Sequence, residues 1–296
     1  MKRFPQRLFI LLLSVSLFVS SCQKEPVRTI ETIDYSGCII AGLQNTFDIL
    51  TFNIQEFPKL GQETIKQVAE LIKCSNVDII ALQEISSEAD FNKLVESLAG
   101  WEGEYYPIDN SIWNLAYLYK ESEVSINKAE SKIIFEDDSW SFPRPPFEIH
   151  VTHIPTAIDA ILINNHFKCC SGNENEERRR NATDSLHKYI SENYPDDPVI
   201  VLGDLNDEIN GTTYESNVFW TILNDPENFL FTDMDIATGS NSWWSYPSWP
   251  SHIDHICVSD ELFSNIDTTI VYRPDKCYND YYRVISDHRP VYLRLK

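Results

Sequence analysis

Short apolar runs that stop abruptly in polar residues dominate the chain. The clearest is Val199-Ile200-Val201-Leu202, followed at once by Gly203, Asp204, Leu205, Asn206 and Asp207. Four apolar, mostly β-branched residues predict a short buried strand, and the glycine lets the backbone turn. Asp204 and Asn206 share a parity, so an extended backbone would point both to one side. A strand ending in an Asx turn accounts for the same residues. The pattern recurs at 47–54, ending near Asn53, and at 77–84, ending in Glu84. It recurs again at 160–167, with Asn164-Asn165-His166, and at 252–258, where Asp254 interrupts an apolar run. Further strands are predicted at 116–119, 147–152, 268–272 and 290–295, with Ser286-Asp287-His288 before the last.

Helical spacing appears between these runs. Ile65, Val68, Ala69 and Ile72 share one face of a helix over 64–73, and Phe91, Leu94, Val95 and Leu98 mark a second. Residues 171–180 read as a polar loop leading into a helix through Leu186 and Ile190. Another helix is predicted at 213–223, and 243–250 is a Trp-rich loop. Several polar strand ends spread over the whole chain suggest a common rim where a substrate would sit.

The first 22 residues are expected to be targeting sequence, not fold. Lys2, Arg3 and Arg7 precede an apolar run, 8–19, too short for a comfortable membrane span. Val19-Ser20-Ser21-Cys22 is similar to a bacterial lipobox, which makes Cys22 the expected lipidated residue. The expectation is an exported protein, anchored by lipid to the outer membrane and facing either the periplasm or the outside. Residues 23–45 read as a tether, and 46–296 suits one large domain.

Charge narrows the partners. The chain carries −21, or about −24 without its first 22 residues, which hold three cations and no anions. Tight non-specific nucleic-acid binding needs a basic face. A nuclease that meets phosphate through divalent cations stays open, and no obligate protein partner is evident. Besides Cys22 there are six cysteines, which could pair in an oxidising envelope. Cys169-Cys170 lacks zinc-knuckle spacing, and Cys257 reads as a buried thiol.

Glu84 closes a strand too hydrophobic to need it, and a hard cation such as Mg²⁺ prefers oxygen ligands. It is the best candidate metal ligand. Asn53 could hold a metal-bound water or a phosphate oxygen, or simply open a turn. His166 and His288 are imidazoles at strand ends, able to move a proton near neutral pH. Asp287 precedes His288, and Asp254 could orient it. Among Arg178, Arg179 and Arg180, one arginine, Arg178 first, could reach a phosphate. No Gly-x-Ser-x-Gly elbow supports a serine nucleophile.

In chain order, Thr51-Phe52-Asn53-Ile54, Leu82-Gln83-Glu84, Asn165-His166, Gly203-Asp204-Leu205-Asn206, Ile253-Asp254-His255 and Ser286-Asp287-His288-Arg289-Pro290-Val291 resemble the endonuclease/exonuclease/phosphatase superfamily of metal-dependent phosphoesterases. The resemblance spans 46–296. It implies an α+β fold, a four-layer αββα sandwich of two packed, mainly antiparallel sheets with helices outside. It implies Mg²⁺ or Mn²⁺, with Ca²⁺ a further candidate, at Glu84 with Asn53 and Asp287 nearby. It further implies that Asp204 orients or deprotonates water, that Asn206 holds the scissile phosphate, and that His288, oriented by Asp254, acts as base or phosphate stabiliser. His166 would be an acid or phosphate contact, as in the deoxyribonuclease-like branch. Gln55, where abasic-site endonucleases carry an acid, and His255, in place of a common tyrosine, depart from the pattern. The expected activity is hydrolysis of a P–O bond in a nucleic acid or an organic phosphate. Inositol phosphates, sphingomyelin-like lipids and a silent binding domain are the alternatives.

Overall fold

Along Phe47–Phe57 (β1) neighbouring side chains enter different cores. Phe47 and Ile49 join one apolar cluster, whereas Leu50, Phe52 and Ile54 join another. A strand buried on both faces reads as a continuous apolar run, which is why the sequence shows runs rather than alternation. The computed structural model describes residues 30–108, 111–211 and 213–296. The targeting segment and Cys22 lie outside the described residues.

After β1 come α1 (Gln62–Ser75), β2 (Ile79–Ile85), α2 (Glu88–Glu96), β3 (Trp101–Tyr106), β4 (Asn114–Lys120), β5 (Val124–Ile126), β6 (Lys132–Ile133), β7 (Phe147–His153), β8 (Ile158–His166) and α3 (Asn173–Asn193). The chain continues through β9 (Val199–Asp204), α4 (Trp220–Leu223), β10 (Phe229–Phe231), α5 (Met234–Ala237), β11 (Asp254–Ser259), β12 (Ile266–Val271), α6 (Tyr281–Val284) and β13 (Val291–Leu295). One sheet has the order β12-β13-β1-β2-β4-β3. The other runs β10-β11-β9-β8-β7-β5, with β6 paired to β7.

The two sheets pack face to face through Ile49, Ile79 and Tyr117 on one side and Ile149, Leu162 and Ile200 on the other. Val68, Ile72 and Leu94 of α1 and α2 cover the outer face of the first sheet. Ala182, Leu186 and Ile190 of α3 cover the outer face of the second. This is the expected four-layer αββα sandwich. Most strand pairs are antiparallel, but β1 pairs β2 and β8 pairs β9 in parallel. Each parallel pair is a strand-helix-strand unit, crossing through α1 or α3. A parallel pair brings two C-terminal ends to the same sheet edge, which sets Asn53 beside Glu84 and His166 beside Asp204.

Three expected boundaries move. The polar loop at 171–180 is mostly helix, because α3 begins at Asn173 directly after Gly172, whose φ is 112°. The helix expected over 213–223 shrinks to α4. Asn217 explains this: its side chain donates to Asn210 O and accepts from Phe219 N, both at 2.8 Å, and so competes with helical hydrogen bonding. Third, part of the expected tether belongs to the domain, because Thr32–Lys296 forms one compact unit. Tyr35 is fully buried against α1, and Cys38 is disulfide-bonded to Cys277. Cys257 is buried and unbonded, as expected. No helix among the described residues is long and apolar enough to cross a membrane.

Candidate active site

The strand ends converge on one cleft of about 740 Å³, lined by Glu84, His166, Asp204, Asn206, Asp287 and His288 among others. Asn53 Nδ2 donates to Glu84 Oε1 at 3.0 Å and to Asp204 Oδ2 at 2.9 Å. His166 Nε2 stands 3.5 Å from Asp204 Oδ2 and 3.8 Å from Glu84 Oε1. His288 Nδ1 lies 2.8 Å from Asp254 Oδ2, and its Nε2 is 3.8 Å from Asp204 Oδ2. Asp254 can do this because it opens β11 directly opposite Asp204 in the antiparallel register.

The backbone at this rim is unusual. Gln55, Glu56, Glu84 and Asn206 have φ of 35°, 48°, 64° and 55°. Non-glycine residues rarely adopt that region, and such strain gathers at functional sites. The β1–β2 register shifts between Asn53 and Phe57, a bulge that aims the Glu56 amide at Glu84 Oε2, 2.9 Å away. Gly203 has a φ of 141°, and a Cβ there would meet the Asn165 carbonyl oxygen at 2.0 Å. Only glycine lets β8 and β9 approach this closely.

Electrostatics divide the ionisable groups. Burial drives the Asp204 carboxyl well above the ordinary range, with Asp254 and Glu84 adding to the rise and His288 opposing it. Burial opposes the His288 charge, yet the carboxylates of Asp254, Asp204 and Asp287 outweigh it and raise that imidazole. Burial, with the charges of Arg144 and His288, holds His166 well below its usual value, so it is neutral.

The donor set fits a hard divalent cation. Oxygen or nitrogen atoms of Glu84, His166 and Asp204 lie within 4.8 Å of one another. Asp287 Oδ1 and Asp254 Oδ1 are buried without a hydrogen-bond partner. Asp204, Asp254 and Asp287 act on one raised imidazole, with Glu84 joined to Asp204 through the Asn53 amide, and such a surplus of negative charge calls for a cation. Asp233, His252 and His255 also cluster, but their atoms are already committed. His252 Nε2 and His255 Nδ1 both face Asp233 Oδ2, at 2.8 and 2.6 Å, and His255 Nε2 faces the Asp207 carbonyl at 2.9 Å.

One expected contact is misplaced. Arg178 is not in the cleft lining: on α3 its guanidinium donates to the Trp140 and Ser139 carbonyls and lies over the Trp140 ring. Successive helical residues turn by about 100°, so Arg178 and Arg179 cannot face the same way. Arg179 lines the cleft instead, with its Nε 2.8 Å from Asp207 Oδ2. Arg144 lines it too, and its Nε donates to the His166 carbonyl at 2.9 Å. No periodicity marks Arg144, which sits between prolines in an irregular segment. Gln55, one of the departures from the family pattern, lines the cleft as well. Its Nε2 donates to Asp287 Oδ2 at 2.9 Å, so an amide holds the carboxylate that precedes His288.

The family model described as Endonuclease/Exonuclease/phosphatase family matches residues 50–288. An endonuclease/exonuclease/phosphatase structure from Bacteroides vulgatus superposes with a TM-score of 0.63 at 19% identity, covering 85% of this chain and 98% of that one. A Bacteroides thetaiotaomicron mannosyl-6-phosphatase gives 0.62 at 16%, covering 84% and 99%. D. rerio TDP2 complexed with a single-strand DNA product gives 0.62 at 15%, covering 85% and 99%. No curated protein sequence matches the chain significantly. The matched residues run from within β1 to His288 and hence include every strand end that builds the cleft, so the chain belongs to the endonuclease/exonuclease/phosphatase family, a family of phosphoester hydrolases.

Proposed function

We propose that this chain is a divalent-metal-dependent hydrolase that cleaves a P–O bond of an organic phosphate by direct, in-line attack of water. The observation that carries the reading is the meeting of Glu84, Asp204 and His288 in one cleft, from two sheets. Glu84, with Asn53 and Asp287 beside it, would hold Mg²⁺ or Mn²⁺, which when bound would supply Lewis-acid polarisation of a phosphoryl oxygen. Asp204 Oδ2 takes the proton of the attacking water, and burial sets its basicity nearer neutral pH than an ordinary carboxylate. His288, protonated and fixed through Nδ1 by Asp254, presents its Nε2 proton to the charge that grows on the phosphoryl group. Asn206 keeps one amide hydrogen for phosphate after donating to Phe167 O at 3.2 Å. Neutral His166 offers a further contact.

The charge of about −24 and the acids Glu56, Glu176 and Glu208 in the cleft lining favour a small substrate over a polynucleotide. A nuclease is the second reading, favoured by Trp113 and Trp249 on the cleft rim, where bases could stack. The lipobox-like start supports work in the cell envelope, tethered by lipid at Cys22. The test is turnover of sugar phosphates, inositol phosphates, sphingomyelin, RNA and plasmid DNA with Mg²⁺ or Mn²⁺, before and after chelation. Chelator-resistant turnover overturns the metal reading. No turnover of any of them, with metal bound and the fold intact, favours a silent binding domain.

A further inference from the structure

We propose that Cys169 and Cys170, adjacent in sequence, close into a vicinal disulfide in the wall of the cleft. Both residues line it, between the end of β8 and the start of α3. Their sulfurs stand 2.7 Å apart, closer than two unbonded sulfur atoms approach and not far beyond a bond of about 2.05 Å. Cys170 has a φ of 78°, a left-handed backbone that brings neighbouring side chains to one side instead of opposing them. The loop around them is pinned. Arg179 Nη1 donates to the Lys168 carbonyl at 2.8 Å and to the Cys170 carbonyl at 3.0 Å, and Asn206 holds the Phe167 carbonyl.

The chemistry is available. Cys170 is exposed, so an oxidant can reach it. Lys168 Nζ lies 3.7 Å from Cys169 Sγ, at the same end of the loop. The Cys38–Cys277 bond already marks a chain that matures where thiols oxidise. With a small-molecule disulfide as oxidant, one cysteine thiolate attacks it and expels one thiolate. The second cysteine then attacks the mixed disulfide and expels the other. The two cysteine protons end on the two released thiols, so the pair is oxidised by two electrons and the small disulfide reduced by two. Adjacent α-carbons are about 3.8 Å apart, below the usual disulfide range of about 4.4–6.8 Å. Such a bond opens more easily than an ordinary one. Closed, it fixes the sulfur face beside Arg179 and Asp207; open, it exposes two thiols there.

The test does not depend on which phosphoester is cleaved. The full chain is equilibrated with glutathione disulfide, denatured, alkylated with iodoacetamide and digested with trypsin. The expected result is a peptide 169–178 that is unalkylated and lighter by two hydrogens, while Cys74 and Cys257 are alkylated. In Cys169→Ser under the same oxidant, Cys170 is alkylated or carries glutathione. On titration with reduced glutathione, the wild-type pair opens before Cys38–Cys277. Alkylation of both cysteines in the oxidised wild type, or a stable glutathione adduct there, overturns the proposal. A pair that outlasts Cys38–Cys277 overturns its lability.

Discussion

Asn53 Nδ2 lies 2.9 Å from Asp204 Oδ2, so a side chain from the first sheet is hydrogen-bonded to the last residue of β9 in the second. The same amide reaches Glu84 Oε1 at 3.0 Å. One neutral donor group therefore sits between two shielded carboxylates that would otherwise repel. Replacing it leaves both without that donor, a loss of about 1–3 kcal/mol. Asn53→Ala is expected to lower Tm and kcat/KM together. Asn53→Asp adds a third carboxylate and is expected to melt lower still without metal, but to recover more on adding Mn²⁺. Calorimetry with and without cation checks the pair. Equal recovery by both variants would separate Asn53 from the cation site.

In the proposed reaction Asp204 and His288 carry the proton chemistry, and each substitution is then expected to cut kcat by about 10²–10⁴. Their effects on stability should differ. Burial raises Asp204, which means its charge works against folding without metal. Asp204→Asn is therefore expected to leave the metal-free Tm unchanged or higher. His288→Gln removes a cation that Asp254 has bound at 2.8 Å and leaves that buried carboxylate uncompensated, so its Tm should fall. Full turnover in both variants would sink the assignment of water attack.

Glu84 is the test of the cation. A ligand present at about 100 times its Kd stabilises the fold by about 2.7 kcal/mol when it binds only the folded chain. Mg²⁺ or Mn²⁺ at that excess should raise the wild-type Tm accordingly, and a chelator should reverse it. Glu84→Gln keeps the volume and loses the charge. Its Tm should respond weakly to the same concentrations, and its turnover should need more cation. A wild-type-like shift in this variant would place the cation elsewhere.

The strands and most of the cleft could be read from the residues because two local signals coincide there. An apolar run sets a strand, and the first polar residues after it mark its end. Parallel strand-helix-strand units then put those ends on one edge, so Asn53, Glu84, His166 and Asp204 were legible before any geometry. Arg144 carries no sequence signal for the site, Gln55 shows only as a departure from the family pattern, and the run 178–180 does not say which arginine enters the cleft. An arginine's direction depends on where a helix begins, and three in a row cannot be told apart until α3 is known to start at Asn173. Arg144 reaches the cleft from an irregular segment that has no period. The helix expected over 213–223 is longer than α4 because Asn217's competing hydrogen bonds depend on Asn210 and Phe219 being brought alongside it.

His255 gives a prediction that needs neither metal nor substrate. Both of its ring nitrogens face oxygen acceptors, Asp233 Oδ2 at 2.6 Å and the Asp207 carbonyl at 2.9 Å. Both must therefore carry protons, which makes the ring a cation. Burial opposes that charge, yet Asp233 raises His255 above its ordinary 6.5. Burial also opposes the Asp233 charge, and the two imidazoles lower that carboxyl below its ordinary 3.8. The signs follow by linkage. The raised histidine contributes stability in full below 6.5 and loses it as pH rises through the folded value. The lowered aspartate contributes above 3.8 and loses it as pH falls through the folded value. The network's contribution is thus greatest between those two ordinary values. Breaking one partner of a buried pair costs about 3–5 kcal/mol. His255→Gln should show a deficit of that order at pH 5, shrinking as pH rises through the folded value and the wild type itself loses the proton. Urea unfolding of both proteins from pH 4 to 10 reads it directly, and a deficit that stays flat across that range would mean His255 is neutral in the fold.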